Sequence, residues 1–122
     1  MIVGIGIDIV SVKRIKDTYE RFGDRFIKKV FPEGIDYCFK KRKGELHGCI
    51  AARFALKEAT IKALSQVGIQ VGFKDVSVLG GGRRIKLKLR KEIEGKELLF
   101  SISHEREFAV AVVNVVKREF HP

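Results

Sequence analysis

The sequence predicts an α+β fold, a mostly antiparallel sheet packed against one long and several short helices. Three observations point there. Residues 45–66 carry apolar side chains at helical spacing with no internal proline. Residues 2–10 (IVGIGIDIV) and 108–116 (FAVAVVNVV) are dominated by β-branched residues and read as strands. Beyond Gly68 and Gly72 the apolar period changes from 3.6 to 2, the signature of strands after a helix. At 122 residues the chain suffices for one domain and is too short for two substantial ones.

In chain order, the first strand places Ile5, Ile7 and Ile9 on one face and Gly4, Gly6 and Asp8 on the other. Ser11 is a natural cap for a helix to about Phe22, with Val12, Ile15, Tyr19 and Phe22 at helical spacing. Gly23 interrupts it, a short helical piece carries Phe26, Ile27 and Val30, and Phe31-Pro32 ends that piece. Residues 33–43 suit a further short helix. The long helix follows, from Glu45 to about Gln66. Val76 and Val78 mark a strand, Gly80-Gly81-Gly82 a turn, and Ile85, Leu87 and Leu89 a half-exposed strand alternating with basic residues. Two last strands, Leu98–Ser103 and Phe108–Val116, flank a polar turn at His104–Glu107. The final strand is apolar on both faces, so helices or another subunit should cover both.

Lys and Arg number 25 against 15 Asp and Glu, a net charge of +10 that calls for an acidic partner. The excess is concentrated in residues 13–44 and in Arg83, Arg84, Lys86, Lys88, Arg90 and Lys91. Composition excludes low-complexity disorder and a disulfide scaffold. Cys38 and Cys49 have neither C-x-x-C nor finger spacing, so zinc is not indicated and free thiols in a reducing cytoplasm are expected. No secretory leader pattern opens the chain, and no apolar run approaches the roughly 18 residues of a spanning helix. A soluble, cytoplasmic protein is expected.

Several motifs fail. Gly4-Ile5-Gly6 lacks the third glycine of a dinucleotide fingerprint, with Ile9 in its place. His104-Glu105-Arg106-Glu107-Phe108 lacks the second histidine of a zincin. Three places remain. Asp8 is a lone carboxylate in an apolar strand, to be satisfied by an ion pair, a helix cap or a metal. Along residues 53–62, Phe54, Glu58 and Lys62 share a helical stripe, with Arg53 and Lys57 nearby. Glu58 and Lys62 are either a surface ion pair or, turned toward Asp8, part of a magnesium and phosphate site, since Mg²⁺ usually takes one or two carboxylates plus substrate phosphates. His104, at a strand end beside Arg106, is a surface hydrogen-bonder or a phosphate contact.

In this order the three segments resemble the holo-acyl-carrier-protein synthases, small 4'-phosphopantetheinyl transferases. The resemblance rests on Gly4-Ile5-Gly6-Ile7-Asp8 running to Arg14-Ile15, on Arg53-Phe54-Ala55-Leu56-Lys57-Glu58-Ala59-Thr60-Ile61-Lys62-Ala63, and on Ser101-Ile102-Ser103-His104 followed by Phe108-Ala109-Val110-Ala111. It implies one transferase domain over residues 1–122. The implied reaction moves the 4'-phosphopantetheine arm of coenzyme A to a serine of an apo acyl carrier protein, in support of fatty acid biosynthesis, and leaves adenosine 3',5'-bisphosphate. Asp8, Glu58 and Lys62 would be catalytic, with Asp8 and Glu58 binding Mg²⁺ (or Mn²⁺) and Lys62 neutralising charge on the transferred phosphoryl group. Arg53 and His104 would lie along the nucleotide phosphates. Arg14, with Arg21, Arg25 and Phe26, would grip the acidic carrier protein. Members of the family are commonly homotrimers with shared sites. A nucleic-acid binder is the main alternative, yet the basic segment at 83–91 has no aromatic platform; an inactive subunit is the other, against which Asp8, Glu58 and Lys62 are intact.

Overall fold

The computed structural model describes residues 1–41 and 44–119. Strand β1 (Ile2–Ser11) leads into helices α1 (Val12–Phe22), α2 (Asp24–Val30), α3 (Asp36–Phe39) and α4 (Leu46–Ser65). Strands β2 (Val76–Leu79), β3 (Lys86–Leu89), β4 (Lys96–His104) and β5 (Phe108–Lys117) follow. Every expected element is present near its expected place. The helix expected over 33–43 is shorter, because Gly34 holds a φ of 91° that no helix accommodates and the regular turn begins only at Asp36. The end of that expected helix, at 42–43, lies outside the described residues.

Helix α4 is the axis of the fold. An apolar surface all round a helix obliges it to be enclosed, and beyond its first turn α4 leaves open only Phe54, Glu58, Ile61, Lys62 and Ser65. One side rests on a three-stranded antiparallel sheet in the order β1-β5-β4, whose inner row includes Ala109, Ala111, Val113 and Val115, all buried. The glycine face of β1 lies directly against α4. A Cβ on Gly4 would stand 2.7 Å from the Ala63 carbonyl oxygen, and one on Gly6 2.7 Å from the Ala63 nitrogen. No side chain fits between them, so strand and helix meet backbone to backbone through Ala59 and Ala63. The bulky face of β1 therefore points away from α4, with Ile5, Ile7 and Ile9 half or more exposed.

The sheet is divided, not continuous as the sequence suggested. β2 and β3 form a separate antiparallel pair on another side of α4. The physical reason is the outer edge of β2. The Val78 N–H donates to Glu33 Oε2 at 2.9 Å and its carbonyl accepts from Arg53 at 2.9 Å, so side chains occupy the positions another strand would need. β3 then stands as the other edge, and Lys86 and Lys88 are the charged residues that guard an edge against further pairing. This gives part of the basic segment at 83–91 a structural task.

The cysteines also depart from expectation. Cys38 and Cys49 are joined in a disulfide that ties α3 to the first turns of α4. Packing brings them together, since Cys38 lies in the core and Cys49 is buried on the helix face it meets. The final strand has only one face covered by this chain; on the other, Val110, Val112, Asn114 and Val116 remain partly open beside Ile7, Ile9 and Leu99.

Candidate active site

The open stripe of α4 faces the one carboxylate of β1. Asp8 sits opposite Ala111 in the sheet, and a methyl there leaves room for its side chain to reach the helix. Its Oδ1 accepts from the Lys62 ammonium at 3.1 Å, and the same ammonium donates to the Ile7 carbonyl at 3.1 Å. The ion pair thus joins strand and helix and does not run along α4 from Glu58 to Lys62. Asp8 is the more enclosed partner, its side chain 15% exposed against 53% for Lys62.

Glu58 is on the same stripe and half-buried. Burial pushes its carboxyl above the ordinary glutamate range, the Asp8 charge pushes it further, and Lys62 draws it back. Two carboxylates brought together in a partly dry cleft make a hard, oxygen-rich pair. Among the described residues no group of three His, Cys, Asp or Glu gathers to hold a metal. Asp8 and Glu58 alone fit Mg²⁺, which commonly binds through one or two carboxylates and completes its shell with water and substrate phosphates.

Around them is a cleft of about 350 Å³, lined among others by Asp8, Ser11, Arg14, Phe26, Phe54 and Glu58. Ser11 builds its upper wall, its side chain accepting from the Arg14 N–H at 3.2 Å and capping α1. Phe26 packs against Phe31 and Phe54, with ring centroids 6.3 and 6.4 Å away. Arg14 and Arg21, seven residues apart, lie on one stripe of α1. Arg21 is exposed with its guanidinium 5.2 Å from the Phe22 ring centroid, and Arg25 is exposed at the start of α2; both lie outside the cleft lining.

Arg53 and His104 are elsewhere. Five residues before Glu58, Arg53 is turned about 140° from it around the helix at roughly 100° per residue. Both Arg53 and His104 line a second cleft of about 270 Å³, with Tyr37, Lys41, Gly81 and Gly82. His104 packs on the N-terminal part of α4, where a Cβ on Gly48 would be 3.1 Å from its Nδ1. Arg53 is 3% exposed as a residue, and its guanidinium donates to the Val78 and Gly80 carbonyls. Sequence reasoning did not find Tyr37, Lys41 or the glycine pair as cleft walls. The only signal was Gly80-Gly81-Gly82, which reads as a turn, and long-range packing gives it a second use. Glu105, next to His104, is engaged by the hairpin turn, where its Oε1 accepts from the N–H groups of Glu107 and Phe108 at 3.0 and 3.1 Å.

The sequence and the fold both match known proteins. Residues 4–113 match the family model of the 4'-phosphopantetheinyl transferase superfamily. A holo-(acyl-carrier-protein) synthase from Halothermothrix orenii is 43% identical, covering 93% of this chain and 96% of the relative. One from Aquifex aeolicus is 37% identical over 93% of this chain and 98% of its own. Among solved structures, the Helicobacter pylori holo-(acyl-carrier-protein) synthase in complex with coenzyme A is similar with a TM-score of 0.74 at 39% identity, covering 92% of this chain and 99% of that one. The Bacillus anthracis synthase, in complex with CoA (3',5'-ADP), gives 0.73 at 32% identity, covering 98% and 99%. With the match spanning nearly the whole chain, the protein belongs to the 4'-phosphopantetheinyl transferase superfamily and, within it, to the holo-acyl-carrier-protein synthases.

Proposed function

We propose that this single transferase domain moves 4'-phosphopantetheine from coenzyme A to a serine hydroxyl of an apo acyl carrier protein, releasing adenosine 3',5'-bisphosphate. The observation that carries the reading is the open stripe of an otherwise enclosed α4, which aims Glu58 and Lys62 at Asp8. Phosphoryl transfer needs positioning and stabilisation of spread negative charge more than a protein nucleophile, because the carrier serine is the nucleophile. Asp8 and Glu58 are the residues to hold Mg²⁺ or Mn²⁺. Bound there, the ion would neutralise charge on the coenzyme A pyrophosphate and the phosphoryl group in flight. Glu58, held by burial above the ordinary glutamate range, is placed to accept the serine proton. Lys62, its side chain half exposed, can exchange Asp8 for a phosphate oxygen.

The nucleotide half of coenzyme A is assigned to the second cleft, with His104 and Lys41 facing it and Arg53 behind. Arg14 and Arg21 on one stripe, with Arg25 and Phe26 beyond, suit an acidic carrier protein. The two clefts open on different sides of α4, and the apolar outer face of β1-β5-β4 lacks a cover from this chain. Both features favour an assembly in which neighbouring copies complete each site, and the family resemblance makes that assembly a homotrimer. Among the described residues no helix is long and apolar enough to cross a membrane. A cytoplasmic role in fatty acid biosynthesis follows from the carrier substrate.

Turnover by Asp8→Ala and Glu58→Ala across a Mg²⁺ titration tests the site. Both should lose activity by two orders of magnitude or more, on the order of 2.7 kcal/mol of transition-state stabilisation. Wild-type turnover and metal dependence in either variant would remove that residue from the site.

A further inference from the structure

Behind the second cleft is a buried charged cluster that the reaction itself does not use. Lys57 is wholly buried, and its ammonium finds three acceptors: the Val30 carbonyl at 2.6 Å, Glu33 Oε1 at 2.9 Å and the Phe73 carbonyl at 3.0 Å. Glu33, its side chain 7% exposed, gives its other oxygen to the Val78 N–H at 2.9 Å. One turn earlier on α4, Arg53 holds the Val78 carbonyl at 2.9 Å and also the Gly80 carbonyl. The cluster thus clasps β2 by both polar groups of Val78 and continues into the Gly80–Gly82 loop.

That loop is constrained from the other side as well. Gly80 has a φ of 67°, and a Cβ there would stand 2.7 Å from the Arg84 carbonyl oxygen. Gly81 is so close to the Tyr37 ring that a Cβ there would overlap it, and the Arg53 guanidinium lies 5.4 Å from the centroid of the same ring. A guanidinium in this setting has two of its donors committed to backbone and little open surface for a phosphate. Burying three charges without solvent is costly unless each is answered, and here each is. What the cluster secures is the position of a loop that walls the cleft beside His104.

We propose that Arg53, backed by Glu33 and Lys57, is a positioning residue: it fixes the Gly80–Gly82 loop in the shape that receives the nucleotide half of coenzyme A, and sets affinity for that half without bonding to its phosphates. This rests on the transferase reading and assigns Glu33, Lys57 and Gly81 a part in it. Neither Glu33 nor Lys57 lines the second cleft, so any effect of changing them on nucleotide affinity passes through the loop.

The test is calorimetric titration of adenosine 3',5'-bisphosphate and adenosine 5'-monophosphate into wild type, Glu33→Gln, Gly81→Ala and Arg53→Met, with steady-state kinetics on each. Glu33→Gln removes the charge that answers Lys57. Gly81→Ala leaves the buried cluster whole and wedges only the loop off Tyr37, so it stands even where Glu33→Gln does not fold. Both variants should weaken binding of both probes about tenfold, and raise KM for coenzyme A similarly, with kcat and KM for the carrier protein within about twofold. The ratio of affinities for the two probes should be unchanged, also in Arg53→Met. Wild-type affinity in Gly81→Ala overturns the proposal, and so does an Arg53→Met protein that no longer distinguishes the two probes, which would make Arg53 a direct phosphate contact. A wild-type protein that binds neither probe overturns the transferase reading, and the proposal with it.

Discussion

Replacing Gly6 by alanine tests how the site is held together. The new methyl would stand 2.7 Å from the Ala63 nitrogen and 2.9 Å from the Ala59 carbonyl carbon, with the Ala59 oxygen nearer still. These are main-chain atoms of an enclosed helix and cannot turn aside as a side-chain end can. Overpacking commonly costs about 1–3 kcal/mol, and an unyielding backbone on the far side puts this substitution at about 3. Loss of unfolded-state freedom returns about 0.4–1 kcal/mol. A net loss of about 2–3 kcal/mol lowers Tm by about 10 °C in a chain of this size. Gly72→Ala is the matched control, since its Cβ would meet nothing closer than Asp75 Oδ2 at 3.9 Å and its φ of −113° suits alanine. Thermal and urea unfolding of the three proteins measure the difference. Because Gly6 precedes Asp8 by two residues and Ala59 follows Glu58, the wedge also parts the two carboxylates, so turnover below Tm should fall as well. A Gly6→Ala protein within about 0.5 kcal/mol of wild type would refute backbone-to-backbone packing of β1 on α4.

Other perturbations have equally definite outcomes. Glu58 binds its proton more tightly folded than unfolded, so the protonated form stabilises the fold fully below about pH 4.3, and that contribution is lost as pH rises through its raised folded value. Glu58→Gln should therefore melt above wild type at pH 7 and lose that advantage at pH 4, while turnover disappears; equal melting at pH 7 would contradict the burial that, with the Asp8 charge, holds the Glu58 carboxyl up. Closing the 11-residue span from Cys38 to Cys49 is worth about 3 kcal/mol in the chain-entropy account. Denatured but unreduced protein should show no thiol to a thiol reagent, and Cys38→Ser/Cys49→Ser should be less stable by about that amount; two reactive thiols would refute the bond. Ile7→Glu, on the exposed face of β1, should turn the proposed trimer into monomers by sedimentation and lower activity, whereas an unchanged sedimentation coefficient would place subunit contacts elsewhere.

Local periodicity made most of the fold legible. The Ser11 cap, the break at Gly23 and the long helix all follow from rules that reach only a few residues along the chain. The stripe of Phe54, Glu58 and Lys62 was visible for the same reason. What spacing could not decide was whether Lys62 pairs with Glu58 four residues away or with Asp8 across 54. The division of the sheet was hidden because it depends on Glu33 and Arg53 occupying the edge of β2 from distant positions. The disulfide was hidden likewise, since two cysteines 11 apart carry no sign of meeting until α3 folds onto α4. Arg53 is the most instructive case. Its place in the motif suggested phosphate, and only folding shows that it also puts two donors on the Val78 and Gly80 carbonyls while lining the second cleft.

The most direct measurement is the intact mass of an apo acyl carrier protein after incubation with this protein, coenzyme A and Mg²⁺. The carrier should gain one phosphopantetheine group, with adenosine 3',5'-bisphosphate released in equal amount, and the gain should vanish with Asp8→Ala. A carrier of unchanged mass, under conditions in which another holo-acyl-carrier-protein synthase modifies it, would contradict the assignment.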